Sequence, residues 1–193
     1  LHAFLTARHI DHVHADAICA LTNHEAGRTA VLEALGDGFA YVDWVRPGFA
    51  LSKSVSELKD REGVILAHHG LIVWDDDSDR CYQKTMAAVA KAESYLNSLK
   101  HPPKSEFKHH DLSDEEIREF LLKLRGKLGK RQVLKVDTRL RKIADREDLP
   151  KVLAAGVSSA DHMLRIRPWS CVVTPTTIDQ SVTAYRKRYD DYF

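Results

Sequence analysis

A chain of 193 residues, 44% hydrophobic and 30% charged, has the length of one domain with an appendage and enough core-forming side chains to exclude a disordered chain. Lysine and arginine number 29 against 28 aspartates and glutamates; the net charge of +1 leaves no basic field for nucleic acid or anionic lipid. The longest apolar runs fall far below the roughly 20 residues of a membrane span, which argues against a membrane protein. The 3 cysteines, Cys19, Cys81 and Cys171, lie far apart without a CxxC pair and read as reduced thiols of a cytoplasmic protein. The unusual count is 11 histidines.

The opening Leu1-His2-Ala3-Phe4-Leu5 reads as the end of a helix, so the chain is expected to be a fragment. His9 to His14 reads as a short strand, Ala15 to Thr22 and Ala26 to Leu35 as helices, the second closed by Gly36-Asp37-Gly38. Phe39 to Val45 is a predicted strand broken by Arg46-Pro47-Gly48, and Leu51 to Leu58 an amphipathic piece. Val64 to Ala67 and Leu71 to Trp74 are nearly continuous apolar runs, as in a sheet covered on both faces, and His68-His69-Gly70 joins them. Asp77-Ser78-Asp79 then caps a helix to about Leu99, on which Met86, Val89, Ala90, Tyr95 and Leu96 recur near helical spacing.

A polar connection with a Pro-Pro pair, residues 101–112, separates a core over 1–100 from an extension over 113–193. In the extension Ser113 to Glu116 forms a capping box before a helix to Leu128, Gln132 to Val136 reads as a short strand, and more helix follows. A strand is expected around Cys171 to Val173, and a last helix carries Tyr185, Tyr189 and Tyr192 on one face. Strands interleaved with helices and followed by an α-rich extension define an α/β layered fold, a central sheet covered by helices.

His12-Val13-His14 places two imidazoles on one side of an extended strand, within reach of a single ion. His68-His69 interrupts the most hydrophobic part of the chain, where an unpartnered imidazole costs about 1–3 kcal/mol and a metal ion removes that cost. Three neutral histidines with one position open are the pattern of a catalytic zinc site, since structural sites are closed by four protein ligands. Asp11 and His68 are ambiguous between a site and the far side of the sheet. His24 and Glu25 read as a solvated loop, His109 and His110 as exposed linker residues, and Arg186-Lys187-Arg188 with Asp190-Asp191 as a solvated helical surface.

His9 to His14, then Arg46-Pro47-Gly48-Phe49, then His68-His69-Gly70-Leu71 together resemble the class II aldolase/adducin family. Gly156 to Arg165, which holds Asp161-His162, and the tyrosine-rich end resemble most closely the aldolase section of bifunctional rhamnulose-1-phosphate aldolase/alcohol dehydrogenases. The resemblance implies a class II aldolase-type domain in which His12, His14 and His69 bind Zn2+ or another divalent metal. It implies retro-aldol cleavage of a ketose 1-phosphate to dihydroxyacetone phosphate and an aldehyde such as lactaldehyde. Further implications are a homo-oligomer with the active site at a subunit interface, and a catalytic acidic residue and phosphate pocket lying mainly ahead of Leu1. His68, Asp161 and His162 are candidates for hydrogen-bonding the ligands or contacting substrate. The alternatives are sugar-phosphate 4-epimerisation, which shares the retro-aldol step, and a non-catalytic adducin-like interaction module.

Overall fold

A computed structural model of the protein describes residues 1–99, 112–133, 135, 137, 140–144, 146 and 148–192. They form two compact units, Leu1–His101 with Val157–Arg167, and Pro102–Gly156 with Pro168–Phe193. The segment Val157–Arg167, expected as part of the extension, thus packs with the first unit.

The first unit is built on a four-stranded sheet of order β1-β4-β3-β2, from β1 (His9–Val13), β2 (Phe39–Val42), β3 (Gly63–Leu66) and β4 (Gly70–Asp75). β1 and β3 flank β4 antiparallel, and β2 runs parallel to β3. The apolar runs of β3 and β4 are continuous because both faces are covered, and alternation divides their side chains between two cores. Ile65, Leu71 and Val73 face α1 (Asp16–Thr22), α2 (Gly27–Leu35) and α4 (Ser78–Ser98), whereas Val64, Leu66, Ile72 and Trp74 pack with Leu5 and with Leu51 and Val55 of α3 (Phe49–Ser56). The sheet and helices are the α/β layering anticipated from the sequence.

Two local expectations shift for physical reasons. The strand predicted over Phe39 to Val45 ends at Val42, the last residue paired with β3, and Asp43 instead takes Arg28 at 2.8 Å. On α4 the buried stripe is Cys81, Thr85, Ala88 and Ala92, with Met86 exposed. Small side chains let this helix sit close against the sheet, while Val89, Tyr95 and Leu96 of the predicted face pack half-buried against the same core and Ala90, like Met86, is exposed. Its cap is as expected, the Asp77 carboxylate accepting from the Arg80 amide at 2.9 Å.

At the end of β4, Asp75 has a side chain only 10% exposed, and both Arg80 and Lys84 reach it at 2.7 Å. These two cations hold its carboxyl well below the usual carboxylate range. A carboxyl depressed in the folded state stabilises the fold above its unfolded value of about 3.9 and loses that contribution as pH falls towards the folded value. Asp75→Asn is expected to lower the urea midpoint at neutral pH and to flatten the loss of stability below about pH 4. Equal acid slopes in the two proteins would refute this role.

In the second unit, α5 (Asp114–Leu128) opens on the anticipated capping box: the Glu116 amide donates to Ser113 Oγ at 3.3 Å and the Ser113 amide donates back to Glu116 Oε2 at 2.8 Å. It closes on Gly129 at φ 68°, and Arg186 of α9 (Ile178–Tyr192) donates to the Lys127 and Leu128 carbonyls at 3.1 and 3.3 Å. Short helices α6 (Arg141–Ala144) and α7 (Leu149–Ala155) lie between them. Of the tyrosine face, Tyr185 donates to the Trp169 carbonyl at 2.9 Å and Tyr192 meets the Trp169 ring edge-on. The strand expected at Cys171 to Val173 is absent: no neighbouring strand pairs with it among the described residues, and Cys171 Sγ donates to the Ser181 carbonyl of α9 instead. Of the strand expected at Gln132 to Val136, the described residues have no regular structure, and Leu134 and Val136 lie outside the description. The expected linker, with His109 and His110, also lies outside the described residues except for Leu112.

Candidate metal centre

The site lies where the end of β1 meets the turn between β3 and β4. In β1 the side chains alternate, so Asp11 and His12 point to opposite faces. The Asp11 carboxylate accepts the Thr85 hydroxyl of α4 at 3.0 Å, which assigns it to the packing side. His14 follows one residue past the strand. The β3-β4 hairpin pairs Leu66 with Gly70, so Ala67, His68 and His69 form a tight turn, closed by the His69 amide donating to the Leu66 carbonyl at 3.2 Å.

Three imidazoles converge here. His12 Nε2 lies 3.2 Å from His14 Nε2 and 3.3 Å from His69 Nε2, and the ligand atoms of all three fall within 4.8 Å of one another. Nitrogens bound at about 2.0–2.1 Å to one tetrahedral ion are separated by roughly 3.3–3.4 Å, so these spacings match shared coordination. The proton positions agree. His12 Nδ1 lies 2.9 Å from the Leu71 carbonyl, which can only accept, so Nδ1 carries the proton and Nε2 a lone pair. His14 Nδ1 lies 2.8 Å from Asp161 Oδ2, with the same consequence. With both rings neutral, as metal ligands must be, the His12 and His14 Nε2 atoms meet lone pair to lone pair, a contact that a cation satisfies. The donor set fits a divalent metal.

Electrostatics supports ligand-competent rings. Desolvation by the surrounding protein pushes the His12 imidazole below its ordinary pKa, opposed by the Leu71 carbonyl and aided by His14, although the residue retains exposed surface. Desolvation, then repulsion from His12 and His14, does the same for His69. The hydrogen bond from His14 holds the Asp161 carboxyl below the usual range, so it is ionised at neutral pH. A carboxylate on the remote nitrogen of an imidazole fixes its tautomer and raises its basicity as a ligand.

Other sequence candidates fall into place around this cluster. His68, weighed above as packing on the far side of the sheet, is instead an exposed turn residue at φ 56°. Its Nδ1 lies 3.1 Å from Asn23 Oδ1. His162 contacts Ser159 Oγ at 2.7 Å within the first turn of α8 (Ala160–Arg165), while its neighbour Asp161 reaches His14. His24 is exposed, its Nδ1 accepting from the Ala26 amide at 3.1 Å before α2. His24 and Glu25, with Asn23, Arg28, Tyr41, Asp43, Trp44, Ala67 and His68, line an open cavity of about 510 Å3. The residues that sequence reasoning missed are Asn23 and Cys19, whose Sγ donates to the His69 carbonyl at 3.7 Å. An asparagine at the end of a helix carries no local signal of either contact.

Comparison with known proteins gives the family. Residues 1–96 match the model of the class II aldolase and adducin N-terminal domain, and residues 114–193 that of the class II aldolase second domain. The chain belongs to the class II aldolase/adducin family. A curated relative from Bacillus subtilis (strain 168), named "Uncharacterized oxidoreductase YuxG", is 41% identical over 101 residues, which make up 50% of this chain and 15% of that protein. A solved structure of the N-terminal class II aldolase domain of a conserved protein from Thermoplasma acidophilum is 32% identical, at a TM-score of 0.46, over 49% of this chain and 45% of that one. Among the described residues no helix is long and apolar enough to cross a membrane.

Proposed function

We propose that the protein is a zinc-dependent aldolase that cleaves a ketose 1-phosphate of the rhamnulose 1-phosphate type to dihydroxyacetone phosphate and lactaldehyde, working as a homo-oligomer. The observation that carries this reading is the convergence of three imidazoles, with His12 Nε2 at 3.2 and 3.3 Å from the Nε2 atoms of His14 and His69, in a chain of this family. A divalent metal bound there supplies Lewis-acid polarisation and stabilises developing negative charge, effects of several kcal/mol in such sites. His12, His14 and His69 would contribute three ligands to such an ion, the number that catalytic rather than structural zinc sites take from the protein. The Leu71 carbonyl and Asp161 keep the protons of His12 and His14 on Nδ1, away from the ligand atoms. The Bacillus subtilis relative, of which this chain spans 15%, is named an oxidoreductase.

The test is incubation of the zinc-loaded protein with rhamnulose 1-phosphate. Dihydroxyacetone phosphate and lactaldehyde are expected in equal amounts, with loss of turnover on chelation and recovery on adding zinc. An epimeric sugar phosphate as the only product would make the protein an epimerase. Unchanged substrate with zinc bound would overturn the catalytic reading for this substrate.

A further inference from the structure

One side chain joins three parts of the chain at the metal centre. Asn23 follows the last residue of α1, its backbone amide donating to the Cys19 carbonyl at 2.9 Å. Its carboxamide spans a gap: Nδ2 donates to the Ser158 carbonyl at 2.7 Å, and Oδ1 lies 3.1 Å from His68 Nδ1. The Ser158 carbonyl can only accept, so the amide NH2 must face it; Oδ1 is then left to accept the His68 Nδ1 proton. A carboxylate in this place would set oxygen against oxygen at Ser158, and an apolar side chain would make neither bond. Ser158 stands three residues before Asp161, which holds His14, and His68 precedes His69 in the turn. The segment Val157–Arg167 and the ligand turn thus meet on a single carboxamide.

Taking His12, His14 and His69 as metal ligands, we propose that Asn23 is a positioning residue of the centre. Its carboxamide latches the segment Val157–Arg167 to the His68-His69 turn and so keeps Asp161 on His14. The latch has two effects. It restrains a turn whose His68 sits in the left-handed region, which disfavours a residue with a Cβ. It also lowers the entropic cost of holding the exposed Asp161 carboxylate in register with one imidazole nitrogen. Because Asn23 acts through Asp161, removing either should weaken the metal site by a similar factor, and removing both should do little more than removing Asp161 alone.

The experiment measures zinc affinity by chelator competition, the visible spectrum of the cobalt(II)-substituted protein, and amide exchange of the metal-free protein. The proteins compared are wild type, Asn23→Ala, Asp161→Ala and the double variant. Each single variant is expected to lose about 10–100-fold in zinc affinity, the usual effect of removing a group that orients a metal ligand. The double variant should lie within about threefold of Asp161→Ala, and the cobalt bands of Asn23→Ala should shift towards those of Asp161→Ala. Exchange should quicken over residues 157–165 in Asn23→Ala while β3 and β4 keep wild-type protection, which establishes that the variant is folded. Wild-type affinity and spectrum in Asn23→Ala, or losses that multiply in the double variant, would overturn the proposal and leave the metal centre standing. No zinc uptake by the wild type would overturn both.

Discussion

His12→Ala and His69→Ala are each expected to abolish stoichiometric zinc binding, while wild type retains one ion per chain after dialysis. Structural zinc sites with four ligands are worth about 10–16 kcal/mol, or roughly 2.5–4 kcal/mol per ligand, so losing one of three histidines should weaken affinity about a hundredfold to a thousandfold. The loss has a second component here. With His12 gone, the Leu71 carbonyl loses its imidazole partner and the two remaining rings lose the nitrogen that lies between them. Elemental analysis after purification without a histidine tag reads the result, with the exposed His2→Ala as a control that should keep its zinc. Zinc retained by His12→Ala and His69→Ala, or lost equally by His2→Ala, would show that the bound ion lies elsewhere.

Gly70→Ala is the second substitution with a large expected effect, and it acts without touching a ligand chemically. A Cβ at Gly70 would run into the Val13 carbonyl and lie 3.0 Å from His14 Cδ2. The principal obstacle is backbone, so relief requires β1 to move off β4 where Val13 pairs with Leu71. Overpacking of this kind costs about 1–3 kcal/mol, and the movement carries His12 and His14 away from His69. Both the denaturation midpoint and zinc affinity should fall. The same exchange at Gly126, inside α5 with nothing within 4 Å of its Cβ, should instead stabilise by up to about 1 kcal/mol because alanine is the better helix former. Midpoints for Gly70→Ala and Gly126→Ala that move in the same direction would contradict the steric account. The glycine of His68-His69-Gly70 is therefore explained by the space in which β1 and β4 meet.

How legible the site was in the sequence depends on how local its determinants are. His12 and His14 are two residues apart, and the strand period alone sets their imidazoles on one side. The interruption of two apolar runs by His68-His69 marks a turn, but which of the two histidines joins the cluster depends on the left-handed conformation at His68 and on the hairpin register. Asp161 meets His14 from 147 residues away, and Asn23 meets Ser158 from 135. No periodicity connects positions so far apart.

What the sequence determined by itself was the layering and the pairing of His12 with His14 on one side of a strand. Uninterrupted apolar strands require cover on both faces, helix ends are written in capping residues such as Asp77 and Ser113, and histidines two apart on a strand share one side. Only the tertiary structure decided that small residues make the buried stripe of α4, that Cys171 to Val173 forms no strand, and that the segment Val157–Arg167 brings a carboxylate to the metal ligands. The reason is physical. Backbone periodicity and capping are settled within a few residues, whereas close packing, strand pairing and long-range hydrogen bonds depend on partners that become neighbours only once the chain has folded.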